Sequence, residues 1–437
     1  MRPALDLPET HWLGMSVPAC WFGASTPYPD PASSATTPGP RMDGGALRVN
    51  AWNTGTVDEK NGLLYMTFDS PAADLYGADR PGNNLFGNTL VALDALTGKL
   101  KWYFQTTHHD IWDYDEPAQP TLVDVVHDGK TVPAIIQTGK TGLVFVLDRL
   151  TGKPIFPVEE RAVPKGDVPG EWYSPTQPFP VRPAPLARMA ITRNELARFT
   201  PEQKKFCEAV WDAEGGAHND GAYTPVGMKP TVIFPGNDGG WGSGTVDPRL
   251  GYFFFNTQAD GIIAHMIQST VGAGVRTNLL YEFKSLEHTI GLAPTPAAYE
   301  RSGVMVGGEK VYHFNNPKTG WPCVAPPWGE LSAVNLNTGA IAWRIPFGRM
   351  DALEAIGVMN TGSFNKGGSV ATAGGVLFIG ATIDKRFHAF DSKTGKLLWE
   401  TTLPVPAKAN PITYLGKNNK QYVLIAADAK LIAFILR

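Results

Sequence analysis

Short apolar runs bounded by turn residues cover most of the chain after about residue 51. Clear examples are Gly62–Thr67, Leu143–Leu147 and Gly251–Phe255. Gly, Asp and Asn residues flank these runs, and runs of this length with such boundaries are typical of β-strands. The pattern therefore predicts an all-β structure.

A self-similar pattern of eleven residues occurs four times, at 92–102, 146–156, 333–343 and 389–399. Each copy combines a strand, a turn of the form Asp/Asn-x-x-Thr-Gly, a second strand and a terminal aromatic residue. The Asp or Asn can bond the backbone two residues on, and the glycine supplies a positive φ, so each copy predicts an antiparallel hairpin. Unrelated hairpins are the alternative. The spacing favours blades of a β-propeller, with the aromatic residue docked between neighbouring blades.

The rest of the chain divides around these repeats. Residues 1–49 are rich in Pro, Ser and Thr and predict an irregular N-terminal segment, whereas 50–437 form the predicted propeller domain. Two long insertions, at about 157–230 and 262–320, interrupt the repeats. The first contains a helix signal, with Thr200 as N-cap followed by Pro at the first helical position. Insertions of this length usually form lids, substrate walls or partner surfaces.

Composition narrows the function classes. The 437 residues carry a net charge of -3 and no Lys/Arg runs, so nucleic acid and anionic membranes are not expected partners. No apolar stretch is long enough to span a membrane, and no signal peptide is visible at the N-terminus. The three cysteines, Cys20, Cys207 and Cys323, are scattered and odd in number, so we expect packing roles or free thiols.

Residues 108–120 read His-His-Asp-Ile-Trp-Asp-Tyr-Asp-Glu-Pro-Ala-Gln-Pro. This segment resembles the pyrroloquinoline quinone (PQQ)-dependent dehydrogenases, in particular the membrane-bound glucose and quinate dehydrogenase branch. The resemblance extends from about Asn50 to the C-terminus and includes Lys140-Thr-Gly-Leu-Val-Phe-Val-Leu-Asp-Arg and Phe234-Pro-Gly-Asn. It implies an eight-bladed propeller, of which this chain holds about five blades. Roughly three blades precede the matching part in the family, and residues 1–49 do not supply their cofactor and metal contacts.

The resemblance also implies a mechanism. In the family, the cofactor lies on the propeller axis beside calcium or a similar ion, and a carboxylate takes the substrate hydroxyl proton as hydride moves to the quinone. Asp113 matches the position of this catalytic base. Asp110 and Asp115 are its nearest rivals, and the alternative for Asp113 is an Asp that caps a blade loop.

Further positions follow from the same resemblance. Trp52 matches the tryptophan beneath the quinone, and Lys140 matches the cation that contacts the quinone oxygens. Further expected cofactor contacts are Trp112, Lys229 and Asn360. The expected metal ligands are Ser70, which stands where alcohol dehydrogenases have an asparagine, and the neighbouring Asp69.

Two features limit the match. Gln203 stands where the glucose dehydrogenase branch has a proposed catalytic aspartate, which weakens assignment to that branch. His108 and His109 suggest a metal site, but successive residues on an extended strand point to opposite faces, which favours structural or pocket-edge roles.

The resulting expectation is a periplasmic PQQ- and calcium-dependent enzyme. It would oxidise a sugar, polyol or other alcohol and pass electrons to a respiratory quinone or another acceptor. The alternatives are a noncatalytic propeller that serves as scaffold or binding module, and a truncated, inactive paralogue. The Thr-Gly/aromatic repeats do not separate these hypotheses, because they build blades and carry no chemistry.

Overall fold

The computed structural model describes residues 49–72, 74–268 and 299–435. Nearly all of the predicted N-terminal segment 1–49 lies outside these ranges. Within them, strands dominate and every strand pair in a sheet is antiparallel, which confirms the all-β prediction. The three apolar runs selected from the sequence lie in β2 (Leu63–Phe68), β7 (Val144–Asp148) and β12 (Tyr252–Gln258).

Five sheets of three or four strands follow one another as propeller blades. The first contains β1 (Thr56–Asp58), β2, β3 (Thr89–Asp94) and β4 (Leu100–Gln105). The second contains β5 (Thr121–His127), β6 (Lys130–Thr138) and β7. The third contains β11 (Thr245–Asp247), β12, β17 (Gly329–Asn335) and β18 (Ala340–Pro346). The fourth contains β19 (Ser369–Ala371), β20 (Val376–Ile379), β21 (Arg386–Asp391) and β22 (Leu397–Thr402). The fifth contains β23 (Ile412–Leu415), β24 (Gln421–Ala427) and β25 (Lys430–Ile435).

The terminal aromatic residues of the repeats join neighbouring blades. The Trp102 indole covers Gly152 in the turn of the next repeat, where an added Cβ would lie 2.6 Å from the indole Cε3. Its Nε1 donates a hydrogen bond to the Arg149 carbonyl at 3.0 Å. In the same way, Trp343 Nε1 donates to the Ser392 carbonyl at 3.1 Å. The predicted docking of the aromatic residues between blades is therefore confirmed at these two junctions.

The repeat turns form as their sequence predicts. Asp94 Oδ1 accepts hydrogen bonds from the Thr97 backbone N–H at 2.9 Å and from the Thr97 hydroxyl at 2.8 Å, while Gly98 has a φ of 68°. Asp391 makes the same pair of contacts with Thr394. The Asp and Thr side chains thus replace backbone partners in the turn, and glycine relieves the strain of its positive φ.

The insertions form a layer beside the blades. Their elements are β8 (Val158–Ala162), β9 (Thr176–Pro180), α1 (Pro201–Trp211), β10 (Thr231–Ile233), β13 (Ile262–Gln268), β14 (Tyr299–Ser302), β15 (Val304–Val306) and β16 (Glu309–Val311). The helix signal is confirmed, because the Thr200 hydroxyl accepts a hydrogen bond from the Gln203 backbone N–H at 3.1 Å. Strand β10, which directly follows the first insertion, pairs with β13 of the second insertion. A short helix, α2 (Asp351–Glu354), precedes the fourth blade.

A disulfide bond links Cys207 of α1 to Cys323 in the second half of the chain. The expectation of packing roles or free thiols is therefore wrong for these two residues, whereas Cys20 lies outside the described residues. The bond joins positions 116 residues apart, and sequence spacing alone does not reveal such a pair. Across the described residues, no helix combines the length and the apolar character needed to cross a membrane.

Candidate active site

The loop between β4 and β5, which contains the His-His-Asp-Ile-Trp-Asp-Tyr-Asp segment, folds around the buried carboxylate of Asp110. Asp110 Oδ1 accepts a hydrogen bond from the Trp112 N–H at 2.8 Å. Its Oδ2 accepts from the Tyr114 N–H at 2.8 Å and from Asn88 Nδ2 at 2.9 Å. Because these partners occupy both oxygens and the side chain is buried, Asp110 holds the loop and is not accessible as a base.

Asp113 has the opposite environment. Its side chain is 22% exposed, and its backbone φ of 66° lies in the left-handed region, which Asp tolerates better than most residues. Asp113 Oδ1 accepts a hydrogen bond from Lys140 Nζ at 2.9 Å, and Oδ2 accepts one from Asn237 Nδ2 at 2.6 Å. The carboxylate is therefore fixed at both oxygens while part of it faces solvent.

Lys140 lies between two carboxylates. Its Nζ is 2.9 Å from Asp113 Oδ1 and 2.7 Å from Asp115 Oδ2. Asp115 is buried, and its Oδ1 accepts a hydrogen bond from the Ser70 N–H at 2.9 Å. Burial opposes the charge of the ammonium, but the two carboxylates outweigh this effect and raise the pKa of Lys140. Asp115 is thus an inaccessible counter-ion, which leaves Asp113 as the base candidate among the three aspartates of the segment.

Burial also controls the proton affinity of Asp113. Loss of hydration raises the pKa of Asp113 to about 8, the Lys140 ammonium opposes this rise, and the carboxylates of Asp115 and Asp74 add to it. A carboxylate with this pKa is mostly protonated at pH 7 and accepts a proton readily above pH 8. General bases are commonly tuned toward the working pH in this way.

Two tryptophans lie beside the charged cluster. The Trp52 side chain is 57% exposed, while its backbone N–H donates to Asp69 Oδ2 at 2.6 Å. The Trp52 and Trp241 rings meet edge to face, with centroids 6.4 Å apart. Lys140 Nζ lies 5.4 Å from the Trp241 ring centroid. An exposed aromatic platform therefore adjoins the ammonium and the carboxylate of Asp113.

The loop between β10 and β11 carries Asn237 and Trp241, two site residues that sequence reasoning did not select. It passes so close to the second blade that a Cβ at Gly240, whose φ is 76°, would lie 2.6 Å from the Gly139 carbonyl oxygen. Only glycine permits this approach without displacement of the backbone. The sequence does contain a signal for Asn237. It is the last residue of Phe234-Pro-Gly-Asn, one of the motifs that carry the family resemblance.

The remaining predicted cofactor contacts do not join this cluster. Trp112 is 3% exposed, its Nε1 donates to the Thr224 carbonyl at 2.9 Å, and it stacks on Tyr114. It lies in the core of the described chain, and its contact with the cofactor stays a prediction. Lys229 and Asn360 are exposed. Within the described ranges, no hydrogen bond or ion pair connects either of them to Asp113, and their roles stay predictions.

The predicted metal ligands do not offer open oxygen atoms. Asp69 is fully buried, with Oδ1 bonded to the Glu116 N–H and Oδ2 to the Trp52 N–H. The Ser70 hydroxyl donates to Asp110. In the described part of the chain, no group of three or more His, Cys, Asp or Glu side chains is arranged to hold a metal ion. The residues present therefore do not fit a calcium site, and Asp69 instead supports the backbone of Trp52.

His108, His109 and Gln203, which the sequence left without a clear site role, each have partners within the fold. His108 Nε2 and His109 Nε2 each lie 3.1 Å from a glutamate oxygen, of Glu160 and Glu171 respectively. Gln203 is buried, and its Nε2 donates to the backbone carbonyls of Trp321 and Pro322, just after the second insertion. Structural roles for these three side chains agree with the geometry.

Comparison with known proteins identifies relatives over most of the chain. Residues 26–423 match the family model described as "PQQ: Glucose/ethanol/alcohol dehydrogenase, beta-propeller domain". The chain is 34% identical over 396 residues to a probable quinate dehydrogenase (quinone) of Xanthomonas campestris pv. juglandis, covering 86% of this chain and 47% of that protein. It is 36% identical over 401 residues to the glycerol dehydrogenase large subunit of Gluconobacter thailandicus, covering 86% and 52%. The chain thus spans about half the length of the curated relatives it matches.

Solved structures support the fold. The quinohemoprotein alcohol dehydrogenase from Comamonas testosteroni superposes with a TM-score of 0.54 at 21% identity, covering 87% of this chain and 44% of that chain. At this identity the likeness concerns the propeller alone. The family match over 26–423 and the identity to the two curated relatives show the family as well as the fold. This chain belongs to the PQQ-dependent, or quinoprotein, dehydrogenase family.

Proposed function

We propose that this chain forms the catalytic face of a PQQ-dependent dehydrogenase that oxidises a CH–OH group of an alcohol, sugar or polyol. The observation that carries the proposal is the Asp113 carboxylate, partly open to solvent and held by Lys140 and Asn237. Through Lys140 and Trp241, it connects to the exposed indole of Trp52. This arrangement combines a base, a fixed cation and an aromatic surface.

The fit to the cofactor rests on these side chains. PQQ is flat and anionic, so the exposed Trp52 indole suits stacking and the Lys140 ammonium suits its oxygens. Two of the three ammonium N–H groups are directed at Asp113 and Asp115, which leaves one donor among the described contacts of Lys140. When bound, PQQ supplies the two-electron acceptor that takes hydride from the substrate carbon.

In this proposal, Asp113 accepts the substrate proton, and Lys140 and Asn237 orient its carboxylate. A substrate hydroxyl bonded to Asp113 transfers its proton to a carboxylate oxygen, while the adjacent C–H bond breaks and the C–O bond becomes a carbonyl. Lys140 and Asn237 keep the carboxylate oriented through this transfer, because each bonds a different oxygen of Asp113. Calcium stays an expectation from the family resemblance, and no step is assigned to it.

The proposal also covers the cellular location and the electron acceptor. We infer a periplasmic location, and the Cys207–Cys323 bond supports it because structural disulfides persist in oxidising compartments. We infer a respiratory quinone or a similar carrier as acceptor, since "quinone" appears in the names of quinate dehydrogenase relatives.

The test is a PQQ titration of the folded chain, followed by absorbance and tryptophan fluorescence, with and without calcium. Dye-linked oxidation of glycerol, D-glucose and quinate is then measured. We expect Asp113→Asn to retain PQQ and to lose at least about 100-fold in turnover, because it removes the general base. Asp128→Asn changes an exposed hairpin carboxylate and serves as the matched control. A folded wild-type chain that takes up no PQQ would contradict the proposal and favour a noncatalytic propeller or an inactive paralogue.

A further inference from the structure

A buried pair of side chains connects the loop of the proposed base to the first insertion. His109 stands four residues before Asp113, and its Nε2 lies 3.1 Å from Glu171 Oε1. The two side chains are 0% and 2% exposed. Removal of two ionisable groups from water costs free energy, so a buried pair of this kind is weak evidence for a gain in stability. Its position beside Asp113 points to a role in the site instead.

The pair is held by hydrogen bonds on both sides. His109 Nδ1 lies 2.8 Å from the Gly82 carbonyl oxygen, which can only accept, so Nδ1 carries a hydrogen. Glu171 accepts backbone N–H groups at both oxygens, from Gly77 at 2.6 Å and from Trp172 at 2.9 Å. Both imidazole nitrogens thus face acceptors, and a proton is needed between Nε2 and Oε1. With that proton in place, the pair joins the β2–β3 loop, the first insertion and the loop of the base.

The imidazole and its backbone have a fixed orientation. The Trp172 indole packs edge to face against the His109 ring, with ring centroids 4.8 Å apart. The His109 backbone N–H donates to the Asn83 carbonyl at 3.1 Å. The β2–β3 loop therefore holds both the backbone and the ring of His109, while the first insertion holds the ring from the other side.

Two residues of the base loop have a left-handed backbone. The φ angles are 46° at His109 and 66° at Asp113. Residues other than glycine keep such conformations only where surrounding contacts enforce them. Between the two, Asp110 accepts hydrogen bonds from the backbone N–H groups of Trp112 and Tyr114, so residues 109–114 form one connected turn. A change of φ at the start of this turn would rotate it and displace the Asp113 carboxylate.

We propose that His109 and Glu171 are positioning residues for the base. Their contact fixes the start of the turn and thereby the orientation of the Asp113 carboxylate. The proposal rests on the proposed function, because it assumes that Asp113 takes the substrate proton. It gives the first insertion a part in proton transfer, through Glu171.

Other anchors of the turn limit the expected effect. Gln177 bonds both backbone groups of His108, at 2.8 and 2.7 Å, and Arg80 Nη2 donates to the Asp110 carbonyl at 2.6 Å. These contacts remain when the pair is broken, so the turn should loosen without unfolding. A small misplacement of a catalytic group can cost about 100-fold in rate, and we expect kcat to fall by about 10- to 100-fold.

Two variants break the pair from opposite sides. His109→Asn is the more selective, because Asn tolerates a positive φ and can still donate to the Gly82 carbonyl, but is too short to reach Glu171. Glu171→Gln removes the charge of the partner. The matched control is His265→Asn, which breaks a His–Glu pair within the insertion layer, with His265 Nδ1 2.9 Å from Glu214 Oε2. Neither residue of the control pair has a described hydrogen bond to residues 108–114.

Hydrogen–deuterium exchange of the full chain, followed by mass spectrometry, tests the positioning without turnover. Peptides that cover 108–116 contain the Trp112 and Tyr114 amides, which are bonded to Asp110. In both site variants these peptides should exchange about tenfold faster than in the wild type, whereas peptides of β21 and all peptides of the control should keep wild-type rates. Unchanged exchange at 108–116 would overturn the inference. Faster exchange throughout the chain would assign the pair to global stability and would overturn it as well.

Kinetics of the PQQ-loaded protein give the second readout, expressed per bound PQQ. Both site variants should lower kcat and kcat/KM by the same factor, about 10- to 100-fold, while KM and PQQ affinity change less than about twofold, because the lost orientation acts on proton transfer. Wild-type kcat in both variants, or a loss confined to KM, would overturn the inference while PQQ-dependent turnover stands. If the wild-type chain takes up no PQQ, the proposed function fails, and the exchange rates at 108–116 alone decide whether the pair orders the turn.

Discussion

The sharpest prediction concerns Asp115, the buried carboxylate that shares Lys140 with Asp113. Both carboxylates bond the same nitrogen, at 2.9 and 2.7 Å, and these distances together limit their separation to about 5.6 Å. At an effective dielectric constant of about 20, two unit charges at that distance repel by about 3 kcal/mol. Since one pKa unit corresponds to about 1.4 kcal/mol, a repulsion of this size without further screening corresponds to a shift of about two units. The partial exposure of Asp113 screens this repulsion, so we expect about one unit.

Asp115→Asn should therefore lower the pKa of Asp113 from about 8 to about 7. A carboxylate base is active when ionised, so activity rises with pH through the pKa, and the variant should reach its plateau at lower pH. At pH 7 the ionised fraction of Asp113 would increase about fivefold, while the plateau would fall slightly because the base is weaker. The Asn oxygen can still accept the Ser70 N–H, which preserves the fold around the site.

The assay is log(kcat/KM) against pH from 5.5 to 9.5, because this profile reports the ionisation of free enzyme and free substrate. PQQ saturation is checked at each pH, so that a change in cofactor binding is not mistaken for a change in the base. Asp128→Asn should leave the profile unchanged. A limb that moves to higher pH, or does not move, would refute the contribution of the Asp115 charge to the raised pKa of Asp113.

Three further predictions concern the platform, the disulfide and the loop of Asn237. Trp52→Ala should weaken PQQ binding at least tenfold in an absorbance titration with little change in the melting temperature, because the indole is largely exposed. Reduction of the Cys207–Cys323 bond, or a double Ser variant, should lower the free energy of unfolding by about 3–5 kcal/mol in denaturant titrations, given the long loop it closes. Gly240→Ala should reduce both stability and turnover, because its Cβ would meet the Gly139 carbonyl; a fully active, equally stable variant would contradict the close approach of this loop.

Much of the fold was predictable because its information is local. Each Asp-x-x-Thr-Gly turn carries its own hydrogen-bond partners, as Asp94 and Thr97 show, and the aromatic residue that follows needs only the glycine of the next repeat. The helix start at Thr200 was readable for the same reason. In the site, Asp113, Lys140 and Trp52 were found through motifs of the family, and the geometry brings the first two into contact.

What the sequence did not predict depends on contacts between distant segments. The pairing of β10 with β13 joins the strand after the first insertion to the second insertion, and the disulfide spans 116 residues. Trp112 is an aromatic residue next to the candidate base in sequence, and is therefore a plausible cofactor contact by sequence alone. Its indole nevertheless faces the core, because the loop turns back at Asp110. The oxygens of the predicted metal ligands, Asp69 and Ser70, are bonded to backbone N–H groups or to a neighbouring side chain, which the sequence does not reveal.

The loop between β10 and β11 contributes several residues to the candidate site. Its Asn237 bonds the Asp113 carboxylate, and its Trp241 contacts both Trp52 and Lys140. Because Gly240 anchors this loop against the second blade, we expect a displacement of the loop to disturb both the Asp113 carboxylate and the aromatic platform.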